Sequence, residues 1–437
     1  MMEKETMRIA ILGLGTVGGG VIKLLRENWT IIHMKTGLNL ELAKVLVRDA
    51  SKPRPGFENL PLTTDIGEIL EDPTIKIVVE LMGGVEPART YMVEALRAGK
   101  TVVTANKDVV SEYGKDLYDA GDMGDAELYF EASVGGGIPV IRPMKESLAA
   151  NKMKKVMGIV NGTTNYILTQ MTQNGTPYQD ALREAQELGF AEPDPTNDVQ
   201  GYDAARKMAI LSSIAFMSRV KPGMVYTEGI TRITPTDIEY GRYFGWVIKL
   251  LGIGKDVDGQ IEARVHPVFI PQEHPLAAVS GSLNAIFTEG EPVGENMFYG
   301  RGAGAGPTAS AVVSDLIAAA LSKRTPGRRA GDACTCLFEK QVLPVEETRS
   351  RYYLRLRCPD QIGGLARIAQ VFGEEQVSIA QVIQGTGGPD YDDDSDEAEL
   401  VMVTHTVRDA NLQAVVRRLK QMPDTVRAVE NVIRVEA

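Results

Sequence analysis

Lys207 follows Asp203 by four residues, and both follow a rigid acidic segment, Glu192-Pro-Asp-Pro-Thr-Asn-Asp198. An Asp/Lys pair at that spacing shares one face of a helix, and on a solvated face it is a bridge worth only tenths of a kcal/mol. Here Met208, Ala209, Ile210 and Leu211 adjoin it, so the pair is expected to be partly buried. Burial lowers the pKa of a lysine, and an uncharged amine is a usable base near neutral pH. The two prolines restrict the backbone and present Glu192 and Asp198 in a defined arrangement. A second lysine, Lys107, closes Thr104-Ala-Asn-Lys107 directly after an apolar run. Beside a cofactor it would touch the nicotinamide edge or the substrate; away from one it is a solvent-facing residue at a strand end. If the two lysines were neighbours, each charge would depress the other's pKa. The chemistry that suits these groups is proton transfer next to a redox cofactor.

Such groups need a scaffold that holds the cofactor, and the start of the chain supplies one. Ile9, Ile11 and Leu12 read as a buried strand running into Gly13-x-Gly15-x-x-Gly18, after which Val17, Val21, Leu24 and Leu25 keep helical spacing. The first glycine permits a tight turn, the second lets backbone approach a pyrophosphate, and the third lets helix pack on strand. The N–H groups of Thr16, Val17 and Gly18 then face the phosphates. Further strands are expected at 42–47, 75–81, 101–104 and 128–131, alternating with helices as a parallel sheet requires. Lys107 then falls at a carboxyl edge of that sheet, where ligands bind in open α/β folds. Arg48, with Lys52 and Arg54 behind it, ends the second strand and suits a 2′-phosphate; Asp49 is the alternative, as an acceptor for the ribose hydroxyls. The balance leans to NADP over NAD.

Beyond residue 132 the pattern becomes α+β. Ser133–Gly137 is a glycine turn, 138–149, 166–173, 178–188 and 206–217 read as helices, and alternating segments at 260–269 and 284–288 suggest an antiparallel sheet. Gly302–Gly306 precedes a long apolar helix, 308–321, expected to return to the first domain and complete it. Residues 322–350 read as a linker. Residues 351–437 follow a βαββαβ order, the split-βαβ plan, with a highly charged, unpacked loop at 388–397. The expected domains are therefore 1–132, 133–301 and 351–437.

A net charge of −11 over 437 residues argues against nucleic acid as a partner. No secretion signal or membrane-length apolar run is read, so a cytoplasmic, membrane-free protein is expected. Cys334, Cys336 and Cys358 are too few for a disulfide framework and read as ordinary thiols, and the four histidines as surface or packing residues.

Taken together, GLGTVGGG (13–20), TANK (104–107), EASVGGGIP (131–139), GIVNGTTNYIL (158–168), EPDPTNDVQGYDAARK (192–207) and GRGAGAGPTAS (300–310) resemble the homoserine dehydrogenase family. The last 85 or so residues are similar to an ACT domain, and no aspartokinase-like segment precedes the first strand, which matches the family's single-activity form. The resemblance implies a Rossmann-type parallel sheet, an α+β substrate and dimerisation domain, and a ferredoxin-like ACT domain. It implies interconversion of L-homoserine and L-aspartate 4-semialdehyde with NADP or NAD. Lys207 becomes the acid/base, with Lys107 and Asp198 beside it. Glu192 binds the substrate amino group, Asp203, Gly162 and Thr163 line the pocket, and Thr104 and Gly302 join the cofactor contacts. A monovalent cation, usually sodium, is implied at Glu131 and the carbonyls of Val134, Gly136 and Ile138. A homodimer or homotetramer and an L-threonine effector at the ACT domain, near Gly363–Gly364, complete the expectations. The rivals are an oxidoreductase for another amino-acid semialdehyde, and a non-catalytic sensor.

Overall fold

Six parallel strands receive the glycine turn. A computed structural model describes residues 6–324, 333–385 and 397–436. In chain order β1 (Thr6–Leu12), α1 (Thr16–Thr36), β2 (Asn39–Leu46), β3 (Leu62–Thr63), α2 (Gly67–Leu70), β4 (Ile75–Glu80), α3 (Ala88–Arg97), β5 (Thr101–Thr104), α4 (Lys107–Gly124) and β6 (Leu128–Tyr129) build a sheet of order β3-β2-β1-β4-β5-β6. Ile11 pairs with Val45 on one side and Val79 on the other, all three fully buried. The run of apolar residues along each strand is what a sheet covered on both faces demands.

The chain then continues through β7 (Lys152–Ile159), α5 (Gly162–Asn174), α6 (Tyr178–Glu187), α7 (Thr196–Val199), α8 (Tyr202–Ala215), β8 (Tyr226–Thr227), α9 (Pro235–Tyr243), β9 (Trp246–Val257) and β10 (Gln260–Pro271). After these come β11 (Leu283–Glu291), β12 (Gly294–Arg301), α10 (Ala305–Arg324), β13 (Arg349–Pro359), α11 (Gly364–Glu374), β14 (Ile379–Gly385), β15 (Glu397–Thr404), β16 (Val407–Arg408), α12 (Asp409–Lys420) and β17 (Ala428–Val435).

Two compact units result. The first comprises 1–156, 206–224 and 284–340, the second 157–205, 225–283 and 341–437. In the first, α10 lies against α1: a Cβ at Gly20 would come within 2.9 Å of the Ala305 carbonyl oxygen, and Ala309, Val312, Leu316 and Ala319 join Ile9, Ile11 and Val79 in one apolar core. Among the described residues α10 alone is long and apolar enough to cross a membrane, and it is largely buried in that core.

In the second unit the βαββαβ segment has its own core, with Leu354, Leu356, Phe372, Met402, Leu412 and Val415 at its centre. It is nevertheless not a separate body. β17 pairs in parallel with β10, Val268 opposite Arg434 and Phe269 opposite Val435, so one sheet carries both parts of the unit. Hydrogen bonding thus joins elements of the expected 133–301 and 351–437 domains. The 322–350 linker also differs. Residues 325–332 lie outside the described set, but Phe338 N donates to the Met217 carbonyl, and Leu343 N to the Ile261 carbonyl, so the remainder is pinned at both ends. Of the charged loop at 388–397, residues 388–396 lie outside the described residues. The 138–149 helix is short and π-wound over Pro143–Ser147.

Candidate active site

The turn after β1 separates the demands of the fold from those of a ligand. Gly13 has φ +98°, and a Cβ there would lie 2.7 Å from the Leu81 carbonyl oxygen. A Cβ on Gly18 would run into the carbonyl oxygen of Gly13. Both glycines are therefore required by the protein itself. Gly15 is different: a Cβ there would meet nothing within 4 Å. Glycine at 15 is explained by a group that approaches from outside, and a pyrophosphate against the uncapped start of α1 fits that space. Thr16 and Val17 open that helix with no side-chain cap over their N–H groups. We expect Gly18→Ala to cost the unliganded protein about 1–3 kcal/mol. Gly15→Ala should leave the unliganded melting temperature unchanged and weaken cofactor binding roughly tenfold or more, about 1.4 kcal/mol. Melting curves with a cofactor titration separate the two.

At the end of β2, Arg48 and Lys52 are exposed. Asp49 is occupied locally: Oδ1 accepts from Ser51 N (2.8 Å) and Ser51 Oγ (2.6 Å), bonds that hold its carboxyl below the usual range. Arg54 donates to the Asp49 carbonyl at 2.7 Å and shapes the same turn.

The carboxyl ends of β4 and β5 are stapled by Glu80, fully buried, whose Oε1 accepts from Met82 N (2.7 Å) and Oε2 from Thr104 Oγ1 (2.6 Å). Burial pushes the Glu80 carboxyl upward. Thr104 Oγ1 in turn accepts from Asn106 N, and the Asn106 side chain caps α4 at Val109 N and donates to the Gly84 carbonyl. This chain of bonds fixes Lys107 as the first residue of α4. Asp108, its neighbour, forms an ion pair at 2.9 Å with Arg206, the residue before Lys207. The first unit thus brings the backbones carrying the two lysines together, and both lysines are half-buried.

Glu131 is buried and bonded at both carboxylate oxygens. Oε1 accepts from Val140 N (2.6 Å) and Ile141 N (2.7 Å), Oε2 from Arg142 N (2.8 Å). Asp315 of α10 accepts from Glu131 N at 2.7 Å, and burial, then the nearby Glu131 charge, pushes its carboxyl up to about 8. The buried turn from Val134 to Ile138 closes through Val134 N to the Glu131 carbonyl and Ile138 N to the Gly135 carbonyl. The carbonyls of Val134, Gly136 and Ile138 accept none of the turn's backbone bonds. Gly136 packs its α-carbon on Gly302, where any Cβ would clash, and Gly302 does the same against Asn284.

In the second unit Asn161 gathers the acidic residues. Its Nδ2 donates to Asp198 Oδ1 (2.7 Å) and Asp203 Oδ2 (2.9 Å), while its Oδ1 caps α5 at Thr164 N. Asp203 is buried, Asp198 half-buried and Glu192 exposed. Gly162 opens α5, and the Thr163 hydroxyl donates to the Phe190 carbonyl (2.6 Å), tying α5 to the segment that leads into Glu192. Asn161 was absent from the residues expected at the site. Its signal was a helix cap before Gly-Thr-Thr, and nothing local revealed that its second amide edge bridges two carboxylates.

The comparisons decide the family. A profile described as homoserine dehydrogenase matches residues 139–317, the homoserine dehydrogenase NAD-binding domain matches 13–131, and the ACT domain matches 352–424. The chain belongs to the homoserine dehydrogenase family. It is 41% identical over 436 residues to homoserine dehydrogenase of Bacillus subtilis, covering 99% of each chain. With that of Corynebacterium glutamicum it shares 44% over 433 residues, covering 98% of this chain and 95% of the other. The crystal structure of a homoserine dehydrogenase from Thiobacillus denitrificans superposes with a TM-score of 0.92 at 38% identity, covering 99% of this chain and 98% of that one. A hyperthermophilic archaeal homoserine dehydrogenase in complex with NADPH superposes with a TM-score of 0.61 at 25% identity, covering 74% of this chain and 100% of that one. A homoserine dehydrogenase of this kind is an oxidoreductase that uses a nicotinamide cofactor.

One lysine outside the expected site also stands out. Lys249 on β9 is buried, donates to the Val279 carbonyl at 2.5 Å, and burial lowers its pKa to about 8. Between that value and a lysine's ordinary range the unfolded chain holds more protons than the folded one, so stability rises with pH there. Lys249→Met is expected to abolish that rise, on the order of 2 kcal/mol. Denaturant titrations at pH 8 and 10 measure it; an equal rise in the mutant would assign it elsewhere.

Proposed function

We propose that this chain interconverts L-homoserine and L-aspartate 4-semialdehyde, with NADP preferred over NAD. The open space at Gly15 is the observation that carries the cofactor reading, since the fold itself has no use for glycine there. The bound nicotinamide accepts or supplies the hydride at the substrate's C4. Lys207 takes the hydroxyl proton in oxidation and returns it to the carbonyl oxygen in reduction. Lys107, held by the Glu80–Thr104–Asn106 chain, would help to hold the nicotinamide and the substrate oxygen. Glu192 pairs the substrate ammonium, and Asp198 and Asp203, tied by Asn161, line the same pocket. Gly162 and Thr163 position that pocket's floor.

The preference for NADP rests on exposed Arg48 and Lys52 and on an Asp49 carboxylate already bonded to Ser51. Thr104 and Gly302 border the cofactor. The carbonyls of Val134, Gly136 and Ile138, not used by the turn's own backbone bonds and with the Glu131 charge behind them, suit a monovalent cation such as sodium, which would stiffen the turn. For the ACT domain, Gly363 has φ +83° and α11 begins without a side-chain cap, so its N–H groups are available to an amino-acid carboxylate, with L-threonine as the effector. Exposed Met297 and Tyr299 on β12 favour assembly into a homodimer or homotetramer, and a cytoplasmic setting fits the three unpaired cysteines.

The deciding experiment follows nicotinamide absorbance with homoserine and each cofactor, with and without threonine. Turnover of homoserine is expected, faster with NADP, and Arg48→Glu should reverse the cofactor order by shifting KM about tenfold. No homoserine turnover with either cofactor would overturn the assignment.

A further inference from the structure

Two of the three cysteines share a built environment that the reaction does not use. Cys334 and Cys336 lie two residues apart, both partly accessible, on the rim of a narrow cleft in the first unit. Val110 and Gly114 of α4, Ile210 and Ile214 of α8, and Phe130 form its walls. Arg219 reaches across it, with Nη2 3.8 Å from Cys334 Sγ. The guanidinium fits only because residue 114 is glycine, since a Cβ there would run into Arg219 Nη1. The charge of Lys145, a buried lysine held over the rings of Tyr118 and Phe130, acts on the same thiol. A hydrogen bond from the Cys336 thiol, reinforced by these two cations, lowers the pKa of Cys334, while Cys336 is driven upward by the same bond. Burial pushes the third thiol, Cys358, up to about 11. A thiolate with cations beside it, a second thiol in reach and a cleft on its open side is the arrangement of a reactive cysteine, not of a packing one.

We propose that Cys334 and Cys336 form a thiol-modification site for small anionic disulfides, with Cys334 as the attacking thiolate and Cys336 as the resolving thiol. The Cys334 sulfur attacks one sulfur of the disulfide; that S–S bond breaks, and one thiolate leaves and takes a proton from water. Cys336 gives its proton to water and attacks the Cys334 sulfur of the mixed disulfide, expelling the second thiolate. Two protein thiols are oxidised and one disulfide is reduced to two thiols. Arg219 and Lys145 stabilise the attacking thiolate and draw in the carboxylates of the incoming molecule.

The test treats the full chain with glutathione disulfide and follows each cysteine by mass spectrometry. Cys334 is expected to react at least tenfold faster than Cys358, ending in a Cys334–Cys336 disulfide. Cys336→Ser should stop at the glutathione adduct on Cys334. Arg219→Met, which leaves both thiols in place, should slow the first step severalfold and raise the pH at which it is half-maximal. Equal rates at all three cysteines, first modification at Cys336, or an unchanged rate and pH midpoint in Arg219→Met would each overturn the proposal. Urea-unfolded protein supplies the reference rate for an unperturbed thiol.

Discussion

Lys207→Met is expected to lower turnover by about 10²–10⁴-fold, the usual contribution of a positioned acid or base, while cofactor affinity stays at the wild-type level. The separation follows from the architecture. The proposed cofactor cradle is made by β1, the glycine turn and α1, whereas Lys207 belongs to α8 and is proposed to act only through proton transfer. Lys107→Met, by contrast, removes the group proposed to contact the cofactor from the start of α4, and should raise KM for both substrates as well as lowering turnover. Steady-state rates in both directions, with fluorescence titration of the reduced cofactor, distinguish the two lysines. Turnover near wild type in Lys207→Met together with a collapsed rate in Lys107→Met would transfer the proton to Lys107. The Asp108–Arg206 ion pair makes either assignment geometrically sensible, because it binds the chain next to each lysine to the other.

The largest stability effect is expected at Asp237. Its carboxylate, fully buried on α9, accepts from Arg355 Nε (2.8 Å), Asn431 Nδ2 (2.8 Å), Tyr353 OH (3.2 Å), and both the backbone and the hydroxyl of Thr234 (3.1 and 2.7 Å). Three of those donors come from the ACT strands β13 and β17. Asp237→Ala strands the Arg355 guanidinium, whose side chain is 10% exposed, with Glu399 as its one remaining carboxylate partner among the described residues. Removing one member of a buried pair typically costs about 3–5 kcal/mol, because the other charge stays desolvated. Denaturant unfolding of the mutant measures it. Asp237→Ala with Arg355→Met should recover part of the loss, since the uncompensated charge is gone. A loss under about 1 kcal/mol for the single mutant would mean that this network does not hold the ACT strands to α9.

The parts of the molecule that were legible in the sequence are those whose meaning is local. Gly13, Gly15 and Gly18 announce a strand, a turn and a helix within a dozen residues, and Thr104–Lys107 announces a strand end. The family then followed from six such segments. The pairing of Asn161 with Asp198 and Asp203 spans about forty residues of chain and leaves no periodic trace. Neither does the anchoring of Glu131 to three backbone N–H groups. Alternation shows that β17 is a strand but not that it lies between β10 and β13. The cysteines were read as ordinary thiols because Arg219 and Gly114, which set their surroundings, are more than a hundred residues away in the chain.

The insertion of β17 between β10 and β13 also constrains how the polypeptide matures. During synthesis β10 emerges after β8, its parallel partner at Arg264 and Val265, but long before β17, and the pairing at Val268 and Phe269 cannot begin until the intervening helices and strands have left the ribosome. Until then the stretch of β10 around Val268 and Phe269 offers unsatisfied amides and carbonyls to any passing strand. A nascent chain of this kind should depend on holdase chaperones for that interval, and variants that weaken β17 should reveal themselves first as insoluble product in the cell.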